Sequence, residues 1–116
     1  MSVTYTVVTI VTIVANAAIA VADLSKAKFV MANSAEVGVP ESWIPLLGTL
    51  KAAGAAGLLL GILGVKYLGI AAAIGLVLFF SGALVAHLRA RVFHNLHYPV
   101  TYWLLAVGSL VLALAR

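Results

Sequence analysis

The chain has 116 residues, 65% of them hydrophobic and 9% charged, with a mean hydropathy of +1.20. Soluble domains are roughly 45–50% apolar and 25% charged. Too little polar side chain is present to coat a water-soluble fold, and a disordered tail is excluded with it. The net charge of +4 comes from seven basic and three acidic side chains scattered along the chain, so no basic patch exists to hold nucleic acid.

The first apolar run covers residues 3–22 and carries no charge. A bilayer core of roughly 30 Å needs about 20 helical residues, so this run is long enough to span. Ala20 and Ala22 ahead of Asp23 have the look of a signal-peptide cleavage site. No Lys or Arg precedes the run, however, and it exceeds the roughly 7–15 residue core of a signal peptide, so a retained helix is expected. Thr6, Thr9 and Thr12 add hydroxyls to it, and Asn16 an amide. Asn16 and Asp23 are seven apart and share a helix face. The ordinary role for these groups is bonding to their own backbone or a neighbouring helix; a polar binding face is the alternative.

Residues 23–43 form an amphipathic connection. Leu24, Ala27, Phe29, Val30 and Met31 give it an apolar side, with Lys26 and Asn33 on the other. It reads as an extension of the first helix or a short helix lying at the interface. Gly38 and Pro40 break it, Ser42 is a candidate N-cap for the next helix, and Pro45 is tolerated in a first turn.

The second run, residues 44–65, holds one charge, Lys51, about 10 Å along the helix from Ile44. The third run, residues 67–86, has none. Lys66 alone separates the two, which predicts a tight antiparallel hairpin. Gly54, Gly57, Gly61 and Gly64 fall within about 80° on one face, and Ala71, Gly75, Gly82 and Ala86 within about 60° on the other helix. Such small-residue stripes let helices approach closely in lipid, so the two helices are expected to pack through them; admission of a ligand or lipid tail is the functional alternative. Residues 87–97 then carry His87, Arg89, Arg91, His94 and His97, and a fourth run covers residues 98–115. Trp43, Tyr67, Tyr98, Tyr102 and Trp103 sit near run ends, as interfacial aromatic belts require.

The sequence therefore predicts one all-α domain, an integral membrane four-helix bundle in a multi-pass protein of the cell membrane. Lys26, Lys28, Arg89 and Arg91 on one side against Lys66 and Arg116 on the other place both termini outside by the positive-inside rule.

Candidate chemistry is sparse. No cysteine is present, so no thiol nucleophile or cysteine-ligated centre can form. No acidic residue follows Glu41 to complete a metal site around the histidines, and no metal is expected. No Ser-His-Asp order, phosphate loop or HExxH pattern occurs, so no self-contained catalytic constellation is visible. Lys51 is the only charge inside a span; it either snorkels to the interface or serves a site, with Asp23 and Glu41 as possible partners. Lys51, Asn16, His87 and Arg89 are the ligand-binding candidates, His87 and Arg89 being suited to a headgroup, a quinone or a partner protein.

The run Pro40-Glu41-Ser42-Trp43-Ile44-Pro45, the stretch Leu47-Gly48-Thr49-Leu50-Lys51-Ala52-Ala53-Gly54-Ala55-Ala56-Gly57-Leu58-Leu59-Leu60-Gly61 and the segment from Leu78 to Arg89, closing on His87-Leu88-Arg89, resemble the DoxX-like family of small bacterial membrane proteins. The resemblance implies a four-helix bundle in the bacterial inner membrane. It also implies association with membrane redox systems, since the wider family includes a thiosulfate:quinone oxidoreductase subunit and a membrane complex linked to oxidative stress. Lys51 stands about where that wider family often has an acidic residue, and the resemblance supplies no catalytic residues. The expected function is a subunit or accessory of a quinone-linked redox system, with a redox partner protein. The rivals are an oligomeric binder or transporter of lipid or small hydrophobes, and a structural assembly module.

Overall fold

The computed structural model describes residues 3–115. The described chain is helical: α1 (Val3–Leu24), α2 (Lys28–Glu36), a single 3-10 turn (Glu41–Trp43), α3 (Ile44–Ile62), α4 (Lys66–Ala90) and α5 (His97–Ala115). Four segments are long and apolar enough to cross a membrane: Val3–Leu24, Glu41–Ile62, Lys66–Ala90 and His97–Ala115. The described body measures 41 × 24 × 18 Å, with the long axis along the helices. Large apolar side chains cover its outside, Val3, Leu63, Leu78 and Leu114 each being at least 60% exposed. In water that surface would be untenable; in lipid it is the expected solvent contact.

The helices pack in a ring, α1 on α3, α3 on α4, α4 on α5 and α5 back on α1. Neighbours are antiparallel, as the facing residues show. Gly48 lies against Asp23 at one end of the α1–α3 pair and Gly61 near Tyr5 at the other. Thr12 meets Ser109, and Tyr102 reaches Ala15, across α1 and α5. A small apolar core of Leu58, Ala73, Leu76, Phe80 and Ala106 fills the middle. Phe80 stacks on Tyr102 at 5.2 Å between centroids, and Trp103 Nε1 donates to Ser81 Oγ at 3.0 Å, closing α4 on α5.

Glycine sets the α3–α4 distance. A Cβ on Gly57 would lie 2.6 Å from Ala72 Cβ, and one on Gly61 would lie 2.7 Å from the backbone of Gly69. Gly54 faces Leu76 in the same seam. The α4 side is therefore Gly69, Ala72 and Leu76, which corrects the expected stripe. Ala71, Gly75 and Gly82 are exposed, Ala86 is half-buried, and a Cβ on Gly75 or Gly82 would meet nothing within 4 Å. Gly64 also leaves the packing face, because α3 stops at Ile62 and Gly64 forms the turn with φ +124°. Only a residue without Cβ takes that conformation readily. Leu63, Gly64 and Val65 make the connection, their amides bonding to the carbonyls of Leu59, Gly61 and Leu60, and Lys66 opens α4 rather than separating the spans alone.

Two further boundaries differ from expectation. Ser42 does not cap α3: it is exposed inside the 3-10 turn, and the chain enters α3 through Trp43 with no side-chain cap bond. Pro45 does occupy the first turn of α3. The fourth helix runs on past Ala86 to Ala90, where Arg91 turns left-handed at φ 56° and the Val92 amide bonds to the His87 carbonyl at 3.0 Å. His87 and Arg89 are thus helical. Arg116 lies outside the described residues.

Candidate functional site

All five helices meet around one cavity, of about 510 Å³, at the end of the bundle where α1 finishes and α3 begins. α2 crosses this end and contributes Phe29, Val30, Asn33 and Ser34 to the wall. Phe79 and Phe80 from α4 and Tyr98 and Tyr102 from α5 add aromatic rings to a wall that is otherwise largely aliphatic, with Ile19, Ile44 and Leu47 among its residues. The left-handed residues Lys26 (φ 54°) and Gly38 (φ 78°) flank α2 and let the chain turn sharply on both sides of it. Asn95 Nδ2 donates to Asn33 Oδ1 at 2.7 Å, and His94 Nε2 lies 3.3 Å from Glu36 Oε2, so the α4–α5 connection ties α2 in place. The second of these contacts is exposed and contributes little.

Charge enters this apolar wall as a pair. Lys51 Nζ donates to Asp23 Oδ2 at 2.7 Å, with side-chain exposures of 13% and 3%. The ammonium also lies 5.3 Å from the centroid of the Phe79 ring, within cation–π range. Of the two candidate partners, Asp23 holds the lysine, while Glu41 is exposed in the 3-10 turn. Gly48 makes the pairing possible. It sits one turn before Lys51, and a Cβ there would come within 2.8 Å of Asp23 Cβ and 3.3 Å of the Ala20 carbonyl oxygen. Any larger residue would push α3 off α1 at the level of the ion pair.

His87 is a further polar group in the wall and is buried. Its Nδ1 lies 3.0 Å from the Ala83 carbonyl oxygen. A carbonyl can only accept, so Nδ1 carries the hydrogen. In the neutral ring Nε2 is then an acceptor, and it has no partner among the described residues.

The four sequence candidates separate accordingly. Lys51 and His87 meet at the cavity. Asn16 does not: it is fully buried deeper in the bundle, where its Nδ2 donates to the Thr12 carbonyl at 2.9 Å. Arg89 is exposed and outside the wall. Among the described residues no three His, Asp or Glu side chains converge as a metal site, and His97 instead lies against the Tyr98 ring at 4.2 Å. Sequence reasoning missed Gly48, Phe79 and Tyr102. Gly48 carried one usable signal, being three residues before Lys51, the one charge inside an apolar run of the sequence. A second, shallower hollow of about 360 Å³ runs along the outside of the α3–α4 seam past Gly54, Gly57, Ala72 and Gly75.

The chain matches the sequence model of the DoxX-like family over residues 7–109. No curated protein and no solved structure matches it. The chain belongs to the DoxX-like family and is a multi-pass membrane protein.

Proposed function

We propose that this protein binds a small, flat, mostly apolar molecule with a polar head in the α2-end cavity, a quinone being the best-fitting class, and that it serves a membrane redox system as a subunit or accessory. The observation that carries the reading is the Lys51–Asp23 pair inside a largely apolar cavity that carries several aromatic rings. Intramembrane charges are costly and mark functional sites by default. A buried ion pair is also a poor way to hold a bundle together, since apolar residues of similar volume are often as stabilising.

The residues fit the chemistry of a quinone head. The aromatic rings of the wall accept a ring face, and Lys51 has hydrogens beyond the one given to Asp23 for a carbonyl oxygen. His87 Nε2 accepts from a hydroxyl. When bound, a quinone would supply electron and proton transfer; the chain's own residues would bind and orient it. With no cysteine in the sequence, no thiol redox centre is built in, and a redox partner protein is part of the proposal. So is the orientation that puts Lys26, Lys28, Arg89 and Arg91 in the cytoplasm and both termini outside.

The test is extraction in a mild detergent or in native nanodiscs, followed by organic extraction and mass spectrometry of what the protein retains. A quinone carried by the wild type and lost in Lys51→Met supports the proposal; its absence from the wild type, with no binding on adding a short-chain quinone, refutes it. The outward hollow along Gly54, Gly57 and Gly75 favours a second reading, lipid-tail binding at a contact between copies in a homo-oligomer. Retained lipid that is insensitive to Lys51→Met and lost in Gly75→Leu would select it.

A further inference from the structure

The buried face of α1 is polar. Its buried residues are Tyr5, Thr9, Thr12, Asn16, Ala20 and Asp23, which at spacings of three and four form one stripe. The opposite side is the reverse, with Val7, Ile10, Val14 and Val21 exposed. In a bilayer such a stripe is tolerable only where its polar atoms are satisfied inside the protein.

Part of the stripe is satisfied by α5. Thr12 Oγ1 lies 2.8 Å from both the Val8 carbonyl oxygen and Ser109 Oγ, and the Tyr102 hydroxyl donates to the Ala15 carbonyl at 3.1 Å. Those bonds hold α1 to α5 and account for Thr12. They leave Thr9 Oγ1, a turn to one side, and Asn16 Oδ1, a turn to the other, buried and without a partner among the described residues. Orphaned polar atoms at such depth call for bound water.

The stripe is long enough to matter across a membrane. From Tyr5 to Asp23 it extends about 27 Å, close to the roughly 30 Å of a hydrocarbon core. At one end the Tyr5 hydroxyl lies 3.7 Å from the place of a Cβ on Gly61, in the last turn of α3 beside the α3–α4 connection. At the other end Asp23 stands in the cavity with Lys51. About 10 Å of helix separate Asn16 from Asp23. Tyr102 spans that interval, its hydroxyl bonded beside Asn16 and its ring in the cavity wall.

We propose that this stripe is a hydrated proton path through the bundle, running from the bundle end at Tyr5 to Asp23 and out through the α2-end cavity. The hydroxyls of Thr9, Thr12 and Ser109 rotate and both accept and donate, and Asn16 Oδ1 accepts. Water between them passes a proton by exchanging hydrogen bonds in sequence, and Asp23 receives it beside Lys51. Helix adhesion alone explains the Thr12–Ser109 bond but not the two acceptors on either side of it.

The experiment uses the full chain in liposomes that enclose a pH-sensitive dye, with a potassium diffusion potential set by valinomycin and no cavity ligand added. Internal acidification faster than in protein-free liposomes is expected. Thr9→Val, which keeps the side-chain shape, and Asn16→Leu should each bring the rate down to the protein-free level, while Val14→Leu on the lipid side should leave it intact. Unchanged melting temperature and a single elution peak for Thr9→Val separate loss of the path from loss of the fold. A wild-type rate equal to that of protein-free liposomes overturns the proposal, as does full conduction in both Thr9→Val and Asn16→Leu. Because no ligand is present, failure here leaves the quinone proposal standing, and a wild type that retains no quinone leaves this one standing.

Discussion

Removing one member of the Lys51–Asp23 pair should be more damaging than removing both. At 2.7 Å, and with an effective dielectric of about 20, the attraction is on the order of 6 kcal/mol. Desolvation of the two groups offsets much of it, and single-partner removal from a buried pair costs roughly 3–5 kcal/mol because the surviving charge is left unpaired. The two single variants should differ. Lys51→Met strands a carboxylate whose side chain is 3% exposed and short. Asp23→Leu strands an ammonium on a flexible four-carbon stem, 13% exposed, which can swing toward the interface. Lys51→Met should therefore lie at the upper end of that range and Asp23→Leu at or below the lower end. The double variant replaces the pair with apolar volume and should return to within about 1 kcal/mol of wild type. Thermal unfolding in one detergent, followed by circular dichroism, reads this as a loss on the order of 10–20 °C for Lys51→Met and near-recovery in the double variant. Ligand retention should stay abolished in the double variant, which separates stability from binding. If both single variants melt within about 1 kcal/mol of wild type, the pair is screened by water and the lysine snorkels, and the argument for a costly intramembrane charge fails.

The α3–α4 seam gives a contrast within one pair of helices. Gly61→Leu should lower stability by about 1–3 kcal/mol or more, because its Cβ would meet the Gly69 backbone; Gly75→Leu and Gly82→Leu, open to the outside, should stay within about 0.5 kcal/mol. Gly48→Leu should both destabilise the protein and weaken ligand retention, since it displaces α3 at the ion pair; unchanged retention in a folded Gly48→Leu protein would remove Gly48 from the site. In this cysteine-free chain, cysteines at Asn33 and Asn95 joined by a short bis-thiol reagent should slow quinone exchange by holding α2 across the cavity. Equal exchange rates before and after cross-linking would show that α2 is no barrier to entry.

What was legible in the sequence followed from two simple facts, the length of apolar runs and the rarity of charge. Those placed four spanning helices in residues 3–115 and singled out Lys51, with Asp23 among its partners. The boundaries of α4 were less legible because a polar residue ends an apolar run without ending a helix. His87 and Arg89 continue the helical hydrogen bonding, and the stop comes at Arg91, where the backbone turns left-handed. The small-residue stripe of α4 failed for a different reason. Angular spacing shows which residues share a face, but not which face meets a neighbour. Here the three-residue turn at Leu63, Gly64 and Val65 sets the rotation, presenting Gly69, Ala72 and Leu76 to α3 and leaving Gly75 and Gly82 outside.

The same distinction explains Asn16. Its seven-residue spacing from Asp23 correctly puts both on the buried face of α1, yet two helical turns are about 10 Å, too far for both to touch one small ligand. Sharing a face makes a column, whereas a site needs residues at one height. Lys51, Asp23 and His87 satisfy the second condition because α1 and α4 run parallel and end at the same level, with α3 beginning there and Gly48 bringing it close. Tyr5, Thr9, Thr12 and Asn16 share only a face with Asp23, not its height. A column of buried polar groups suits something that moves along the helix axis, and a level cluster suits something that stays.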